Sequence, residues 1–337
     1  MKVLVVKLSS LGDIAQALPA VRRLAARTGA EIHWLVQPEY AALVGALSFV
    51  GKVLVWPRHG GWGERLAALR DLRGETYDAV LDLQGLLKSA LPASLARRTG
   101  GGKTYGMPPP AAREHAWSLY RVRASLPADG RLHSADEMMA VVDAFAPPPA
   151  EGEAPLPPLE MRLPRPPQLP EEVTGPWVVL APFSRWATKN WPPAKFAETA
   201  KRLRADWGGA FWILGGKGDA PAGERLAGTI GKGARNCCGE FSLLETCAVL
   251  KAADLLLAVD SGPLHWADAL GTPAVSVYGA TDPARTGPYG QLSGVVAAEG
   301  LSCRPCHKRT CGNASSPLAC LQHVTPQAVA AVAAKAL

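Results

Sequence analysis

Short apolar runs alternate along the chain with longer segments of mixed polarity, a pattern that predicts parallel strands covered by helices. The first apolar run covers residues 2–8, and a segment of helical spacing at residues 14–29 ends in a glycine before a second run at residues 31–36. A further apolar run at residues 79–83 precedes a helix predicted to begin at Leu86. The first half is therefore predicted to be a parallel sheet with helices on both faces.

The second half repeats this alternation after a proline-rich segment. Residues 147–170 contain ten prolines, which disfavour both a helix and a central strand and predict an extended linker. Beyond it we predict strands at residues 177–180, 210–214 and 255–259, and helices at residues 193–207, at residues 224–228 and after Ser261.

These patterns predict an α/β protein made of two Rossmann-like domains that face each other across a cleft, where the carboxyl ends of the strands bind ligands. The predicted parts are a first domain at 1–150, a linker at 151–172, a second domain at 173–325 and a final helix at 326–337. In two-domain folds of this kind such a helix can pack back on the first domain, although the sequence does not show it.

Composition narrows the class of protein. The chain has no run of about 18 apolar residues and no secretion signal at its amino terminus, so we expect a cytoplasmic location. The net charge is +7, and residues 88–131 hold eight Lys or Arg against Glu114 and Asp129. An acidic substrate, an anionic membrane surface or a solvated basic face would each explain this segment. It lacks a known nucleic-acid motif, so no nucleic-acid partner is expected.

The junction between residues 255–259 and the following helix is a predicted anion site. Ser261 has the residue type of an N-cap, Pro263 has a preset backbone angle, and Gly271 ends the helix. The free N–H groups of a helix start, together with the helix dipole, favour a phosphate. Asp260 and His265 flank this position. The hypothesis is a nucleotide diphosphate site, and the alternative is an ordinary strand-to-helix turn.

Three other loops follow predicted strands. Residues 9–13 contain two hydroxyls, a glycine and Asp13, which either caps the next helix or serves as a general base. Residues 183–192 combine hydroxyls with two cations, which suits a departing phosphate. Residues 215–219 place a carboxylate in a glycine-rich turn, where it could meet ribose hydroxyls. No Gly-x-Gly-x-x-Gly follows the first strand, which argues against a dinucleotide oxidoreductase.

With these loops assembled, the chain resembles the lipopolysaccharide heptosyltransferases of glycosyltransferase family 9, which are inverting enzymes with the two-domain GT-B fold. The resemblance covers nearly the whole chain and rests on five ordered motifs at residues 6–13, 82–90, 188–192, 260–265 and 277–283. Residues 82–90, with the later segments 112–114 and 118–120, are most similar to heptosyltransferase I.

The resemblance implies transfer of L-glycero-D-manno-heptose from ADP-heptose to a Kdo sugar of Kdo2-lipid A, without a catalytic metal. Asp13 would be the base, and Lys189 would stabilise the departing diphosphate. The first domain would hold the acceptor and the second the donor, with peripheral contact to the anionic inner membrane surface on its cytoplasmic face. The implied acceptor residues are Ser9, Ser10, Gly12, Arg58, Arg65, Gln84, Lys88, Lys103 and Arg113. The implied donor residues are Ser184, Arg185, Thr188, Asp219, Glu224, Asp260, Ser261, Gly262, Pro263, Leu264 and His265.

The sequence departs from the family pattern at the ribose site. The family usually has a glutamate there, whereas the loop at residues 215–225 is spaced differently and leaves either Asp219 or Glu224 as the ribose ligand.

The second departure is a cysteine-rich loop, residues 303–320, which many heptosyltransferase I sequences lack. Close Cys-x-x-Cys spacing in a cytoplasmic protein favours a structural metal site, with zinc or iron bound to thiolates, over free thiols or disulfides. Some related heptosyltransferases that modify proteins resemble iron-binding proteins through a similar cysteine set. The predicted metal ligands are Cys303, Cys306, Cys311 and Cys320, while Cys237, Cys238 and Cys247 are predicted to be buried apolar residues.

Other functions remain open at this point. The chain could be a heptosyltransferase II or a protein heptosyltransferase, which differ in acceptor. From other classes, it could be a sugar-nucleotide-binding protein without transferase activity, or a sugar-nucleotide epimerase. Dependence of turnover on an acceptor separates these alternatives.

Overall fold

The computed structural model of the protein describes residues 1–127, 132–169 and 173–337, which fold as two units, Met1–Arg162 and Leu163–Leu337. Each unit contains a six-stranded sheet in which every strand pair is parallel. This confirms the prediction of two Rossmann-like domains. Asp129 and Arg131 of the basic segment, and residues 170–172 of the predicted linker, lie outside the described residues.

The first unit has the strand order β3-β2-β1-β4-β5-β6. Its strands are β1 (Lys2–Val6), β2 (Glu31–Val36), β3 (Val50–Val55), β4 (Thr76–Asp82), β5 (Arg97–Gly106) and β6 (Val122–Arg123). Its helices are α1 (Leu11–Thr28), α2 (Ala41–Gly45), α3 (Trp62–Arg73), α4 (Leu87–Leu95) and α5 (Ser134–Phe145).

The second unit has the strand order β12-β11-β10-β7-β8-β9. Its strands are β7 (Trp177–Ala181), β8 (Ala210–Ile213), β9 (Ala234–Asn236), β10 (Leu255–Val259), β11 (Ala274–Tyr278) and β12 (Val295–Ala297). Its helices are α6 (Pro193–Trp207), α7 (Ala220–Ile230), α8 (Leu243–Ala252), α9 (Gly262–Leu270), α10 (Pro283–Thr286), α11 (Ala319–Gln322) and α12 (Pro326–Ala333).

The predicted elements are all present, with shifts at their ends. α6 has the predicted bounds, whereas α1 begins at Leu11, three residues before the prediction. The predicted helix at residues 224–228 is the middle of the longer α7, because its first turn is built on Ala220 and Pro221. Gly271 ends α9 in the left-handed conformation, with φ of 79°, as predicted.

Part of the predicted linker belongs to the first unit. Leu159 is buried, and Met161 forms an antiparallel bridge with Leu47. On α1, Arg23 donates to the carbonyl of Ala154 at 2.5 Å, and Arg27 pairs with Glu153. The boundary between the units therefore falls after Arg162, rather than at residues 150–151, because these contacts fix the extended chain to the first unit.

The C-terminal helix α12 packs within the second unit. Val329 and Ala333 are fully buried in the same hydrophobic core as Phe196 of α6. Lys195 of α6 also donates to the carbonyl of Val324, just before α12, at 2.8 Å.

Both sheets have a topological switch point, where consecutive connections lead away in opposite directions. In the first unit it lies between β1 and β4, and in the second between β7 and β10. The loops after these strands form a crevice at the carboxyl edge of the sheet, which is where open α/β sheets bind ligands. The described helices include none that is both long and apolar enough to cross a membrane.

Candidate active site

In the first unit, the loops after β1 and β4 are joined by one glutamine. Oε1 of Gln84 accepts hydrogen bonds from the backbone N–H of Leu8 at 2.8 Å and of Ser9 at 3.2 Å, while Nε2 donates to the carbonyl of Ser9 at 2.8 Å. Nζ of Lys88, on α4, donates to Oγ of Ser9 at 3.3 Å. The predicted acceptor residues Ser9, Gln84 and Lys88 thus lie together at the switch point.

Asp13 lies in the first turn of α1, two residues after the helix begins at Leu11. Its Oδ2 accepts hydrogen bonds from the backbone N–H and the hydroxyl of Ser10, both at 2.8 Å. The carboxylate therefore takes part in a capping box, as the alternative interpretation expected. The side chain of Asp13 is only half-buried, and Gly12 beside it leaves the surface uncovered by a side chain. A capped, partly exposed carboxylate can still accept a proton from a substrate hydroxyl.

Two buried ionisable groups support these loops from below. Nζ of Lys7 donates to the carbonyl of Leu83 at 2.9 Å, and burial lowers the pKa of Lys7 although Asp13 and Asp82 oppose the shift. Asp82 accepts hydrogen bonds from two backbone N–H groups, of Gln84 and Gly85, and from the hydroxyls of Ser89 and Tyr120. Burial nevertheless raises the pKa of Asp82. Neither residue was predicted to be functional, and both hold the loop in place.

The predicted acceptor cations lie in different parts of the first unit. The N–H of Arg113 donates to the carbonyl of Gly85 at 2.9 Å, so Arg113 lies beside the loop after β4. Arg58 lies in the loop that follows β3, and Arg65 lies in the first turn of α3. Nε of Arg65 donates a hydrogen bond to the carbonyl of Gly60 in that loop. Their side chains are exposed.

Lys103 does not join this group. It pairs with Ala79 in the interior of β5, three residues before the edge that Asp82 marks. The family resemblance implied that Lys103 binds the acceptor, and this stays a prediction. A side chain at this mid-strand position starts about 10 Å from the edge.

In the second unit, Asp260 joins three loops. Its Oδ2 lies 2.7 Å from Nζ of Lys189, in the loop after β7, and accepts a hydrogen bond at 2.6 Å from Oγ1 of Thr281, after β11. Its Oδ1 lies 3.7 Å from Nε2 of His265 on α9. The predicted residues Asp260, Lys189 and His265 therefore form one network, and Thr281 completes it.

The electrostatics of this network fix Asp260 as an anion. Burial raises its pKa, but the hydrogen bond with His265 and the charge of Lys189 outweigh burial and lower the pKa to about 2. Lys189 is thereby held beside the start of α9 by a partner that stays ionised near neutral pH.

The start of α9 differs in detail from the prediction. The side chain of Ser261 makes no capping bond, and its Oγ is buried without a hydrogen-bond partner among the described residues. The N–H of Leu264 donates to the carbonyl of Ser261, and the Leu264 side chain is buried. The N–H of Leu264 is therefore already used within the protein. Pro263 has no N–H. Of the predicted stretch, the Gly262 N–H and the Ser261 hydroxyl are the groups best suited to meet an anion.

The loop after β7 is closed on itself. Asn190 accepts from the N–H of Ser184 at 2.7 Å and donates back to its carbonyl at 3.0 Å. Oγ of Ser184 is an acceptor for the N–H of Trp186, and Arg185 is exposed. Lys189 lies over the ring of Trp186, with its Nζ 4.8 Å from the ring centre. These contacts orient the predicted cation.

Thr188 has a structural role in this loop. Its hydroxyl is buried and donates at 2.6 Å to the carbonyl of Lys308 in the cysteine-rich loop. The hydroxyl proton of Thr188 is therefore used within the protein, and its binding of the donor stays a prediction. The neighbouring Arg309 lies over the same Trp186 ring, 5.2 Å from its centre.

Both candidate ribose carboxylates lie after β8. Asp219 accepts from the N–H of Gly216 at 2.8 Å, so it closes the glycine-rich turn. Glu224 is exposed and accepts at 3.2 Å from Asn236, at the end of β9. Glu224 is the more available of the two for a ligand, because Asp219 is used to close its own turn.

The four predicted metal ligands lie near one another, and the charges of the other three thiols help to raise the pKa of Cys320, so the metal site stays a prediction. Cys303, Cys306, Cys311 and Cys320 line one pocket of about 510 Å³. Across the described ranges, however, no three His, Cys, Asp or Glu side chains are placed to hold a metal ion together. The thiols instead have other partners: Cys311 accepts from the N–H of Leu318 at 3.3 Å, which lowers its pKa, and Cys303 lies 3.8 Å from Nδ2 of Asn313.

The other three cysteines are buried, as predicted. Burial raises the pKa of Cys237 and Cys247 to about 12 and that of Cys238 to about 11, so these thiols are protonated at neutral pH.

Sequence reasoning missed two polar residues of the second unit. Thr281 lies in a motif that carries the resemblance, and its position after the strand that neighbours β10 was a signal that it could reach Asp260. Asn236 had no such signal, because the short β9 has no apolar run.

The chain is similar to known proteins in sequence and in fold. The profile of glycosyltransferase family 9 (heptosyltransferase) matches residues 65–316. Lipopolysaccharide heptosyltransferase 1 of Pseudomonas aeruginosa is 31% identical over 336 residues, which cover 92% of this chain and 87% of the relative. Lipopolysaccharide heptosyltransferase 1 of Escherichia coli K12 is 29% identical, over 88% of this chain and 94% of the relative.

Among solved structures, the E. coli heptosyltransferase WaaC with ADP matches with a TM-score of 0.78 at 24% identity, over 100% of both chains. This likeness confirms the predicted GT-B fold.

Proposed function

Because this chain belongs to glycosyltransferase family 9, the heptosyltransferases, we propose that it transfers L-glycero-D-manno-heptose from ADP-heptose to a Kdo sugar of Kdo2-lipid A. The relatives from Pseudomonas aeruginosa and Escherichia coli are named lipopolysaccharide heptosyltransferase 1, which supports addition of the first heptose. The observation that carries the donor assignment is the network of Lys189, Asp260 and Thr281 beside the start of α9.

The proposed reaction is a single displacement with inversion. Asp13 takes the proton of an acceptor hydroxyl, the oxygen bonds to the anomeric carbon of the heptose, and the bond from that carbon to the ADP oxygen breaks. The negative charge that grows on the departing diphosphate is met by the Lys189 ammonium and the N–H of Gly262 at the positive end of α9. These groups supply the stabilisation that a metal provides in other glycosyltransferases.

The acceptor would bind to the first unit. Lys88 contacts Ser9, and Arg113 lies beside Gly85 in the loop after β4, where cations suit the carboxylates and phosphates of the Kdo and lipid A groups. Glu224 is proposed as the ligand of the donor ribose, since Asp219 closes its own turn.

The test is ADP release from ADP-heptose by the purified protein in EDTA, with and without delipidated Kdo2-lipid A. We expect release only when the acceptor is present, and no loss of rate in EDTA. Acceptor-independent release would contradict a transferase and favour an epimerase or hydrolase. No release despite measurable ADP-heptose binding would favour another acceptor, as in heptosyltransferase II or a protein heptosyltransferase, or a non-catalytic binding protein.

A further inference from the structure

Five large apolar side chains are exposed on two neighbouring helices of the first unit. Trp62 and Leu66 lie one turn apart on α3, and Leu87, Leu91 and Leu95 follow at intervals of one turn along α4. Trp62 is 83% exposed, Leu66 63% and Leu91 49%. These five residues are called the α3–α4 surface.

The α3–α4 surface is not needed for the core. Other residues of the two helices, Leu72 and Ala93, are buried in a core cluster with Leu4 and Val80, and α3 contacts α4 directly. A side chain such as Trp62 therefore remains exposed after the helices have packed, and apolar surface of this kind marks an interaction site.

The second unit offers a contrast. Its exposed large apolar residues among the described positions are Trp207, Tyr289, Leu292 and Leu337, and no two of them share a helix. Trp207 and Leu337 line one pocket, but the four residues do not form a stripe along a helix. Exposed apolar residues of this kind are normal on protein surfaces. The clustering on α3 and α4 is therefore a property of the first unit.

The charges around the α3–α4 surface are mostly positive. Between residues 58 and 98 the exposed charged side chains comprise seven cations and two anions, Glu64 and Asp71. Nη1 of Arg97 approaches the carbonyl of Arg73 at 3.5 Å, and Nη1 of Arg98 donates to the carbonyl of Ala96, so both cations lie at the C-terminal ends of α3 and α4. The seven cations are Arg58, Arg65, Arg70, Arg73, Lys88, Arg97 and Arg98.

We propose that the α3–α4 surface docks on an anionic phospholipid bilayer, with Trp62 and the leucines entering the interface and the arginines contacting lipid phosphates. Apolar side chains flanked by cations match both layers of such a surface, the acyl boundary and the negative headgroups. A tryptophan favours the boundary between them because its ring is amphipathic.

The position of the surface agrees with a lipid-linked acceptor, a step that rests on the proposed function. Leu87 precedes Lys88, whose Nζ reaches Ser9 beside Asp13. The α3–α4 surface thus begins at the acceptor residues. A bilayer on this surface would present the sugar of a lipid-linked acceptor next to Asp13 while its acyl chains stayed in the membrane.

The first experiment is flotation of the full chain with vesicles of phosphatidylcholine alone or mixed with phosphatidylglycerol. We expect binding to the mixed vesicles only, weakened by added salt because the arginine contacts are screened. Leu66→Ser with Leu91→Ser should weaken binding about tenfold, since two apolar side chains no longer enter the interface. The matched control, Leu292→Ser with Leu337→Ser, removes two exposed leucines of the second unit and should bind like the wild type.

A second readout locates Trp62 itself. Brominated phosphatidylcholine in the mixed vesicles should quench part of the fluorescence of the ten tryptophans, and Trp62→Leu should remove that part while flotation is retained. Equal quenching in Trp62→Leu and the wild type would contradict insertion of α3.

Three results would contradict the proposed docking. The first is no flotation of the wild type, and the second is equal flotation of the wild type and the Leu66→Ser/Leu91→Ser variant. The third is self-association in sedimentation that this variant abolishes, which would assign the surface to a second copy of the chain. Failure of the proposed function is distinguishable, because flotation needs no turnover. If both hold, the variant should match wild-type turnover on delipidated acceptor and fall below it on acceptor embedded in mixed vesicles.

Discussion

Each unit has a buried aspartate at the switch point of its sheet, and the two differ in charge environment. Asp82 ends β4 and accepts bonds from backbone and hydroxyl groups, and burial raises its pKa. Asp260 directly follows β10 and meets Lys189 and His265, and its pKa is lowered to about 2. The same topological position therefore orders a loop in the first unit and holds a cation in the second.

The cation beside Asp260 and the cations around Asp13 are therefore held to different degrees. The donor side has its cation fixed by a buried partner before any ligand arrives, which favours stabilisation of developing charge. The acceptor side has Lys88, Arg113 and Arg58 exposed around a half-buried Asp13.

The largest expected effect comes from Asp13→Asn, which leaves the shape of the acceptor side but removes its base. We expect kcat to fall by about a hundredfold to ten-thousandfold. ADP-heptose affinity should be unchanged, because the donor network lies in the other unit. Steady-state ADP release and calorimetric titration measure the two quantities. Ser10→Ala is the control, since it removes one hydrogen bond to Asp13 but keeps the carboxylate. Turnover near the wild-type rate in a folded Asp13→Asn protein would rule out Asp13 as the base.

The comparison of the aspartates is tested by Asp260→Asn against Asp82→Asn. Asp260→Asn leaves Lys189 without its partner, and we expect a loss of about 2–4 kcal/mol in the free energy of unfolding. Asp82→Asn removes a buried carboxylate that has no cation within hydrogen-bond distance among the described residues, and Ser89 and Tyr120 can reorient, so about 1 kcal/mol is expected. Urea unfolding gives both values. Equal losses would mean that the two positions are energetically alike.

Acid should act on the two aspartates in opposite directions. The folded pKa of Asp260 lies below the value near 3.9 of an unfolded chain, so its contribution of about 2 kcal/mol is present above pH 4 and lost as pH falls toward 2. The stability gap between the wild type and Asp260→Asn should shrink over that range. Lys189→Met removes a charge that lowers this pKa and should move the loss to higher pH.

Asp82 supplies the control for this titration. Its folded pKa is raised, so acidification favours the wild type relative to Asp82→Asn as pH falls through that pKa. Unfolding free energies measured from pH 7 to pH 2 would contradict the comparison if the Asp260 gap stayed constant or widened.

The smallest expected effect separates two exposed lysines of the first unit. Lys88→Ala removes a cation beside Ser9 and should raise the acceptor KM about threefold to tenfold, with little change in kcat. Lys103→Ala, on the interior of β5, should leave KM unchanged. Steady-state kinetics with varied acceptor measure both. An equal rise in the two variants would favour a diffuse basic field over a defined site.

The sequence was sufficient for the architecture, because continuous apolar runs such as Leu255–Val259 and glycine helix ends such as Gly271 are local signals. It did not predict β5, whose residues are mainly exposed and rich in glycine and charge, so the mid-strand position of Lys103 had no local signal. It also could not predict the bond from Thr188 to the Lys308 carbonyl, because that bond joins residues 120 positions apart and leaves no local pattern. The Asp260 network was predicted in its parts, but Thr281 required knowledge of which strands are neighbours.

The packing of α12 sets an order of events during synthesis. The first unit has all its strands and helices once residue 162 is made, so it can fold while the ribosome is still producing the rest. The second unit needs Val329 and Ala333 to complete the core that also contains Phe196, although its last strand ends at Ala297. Part of the apolar surface of the nascent second sheet would thus stay exposed until α12 has been synthesised.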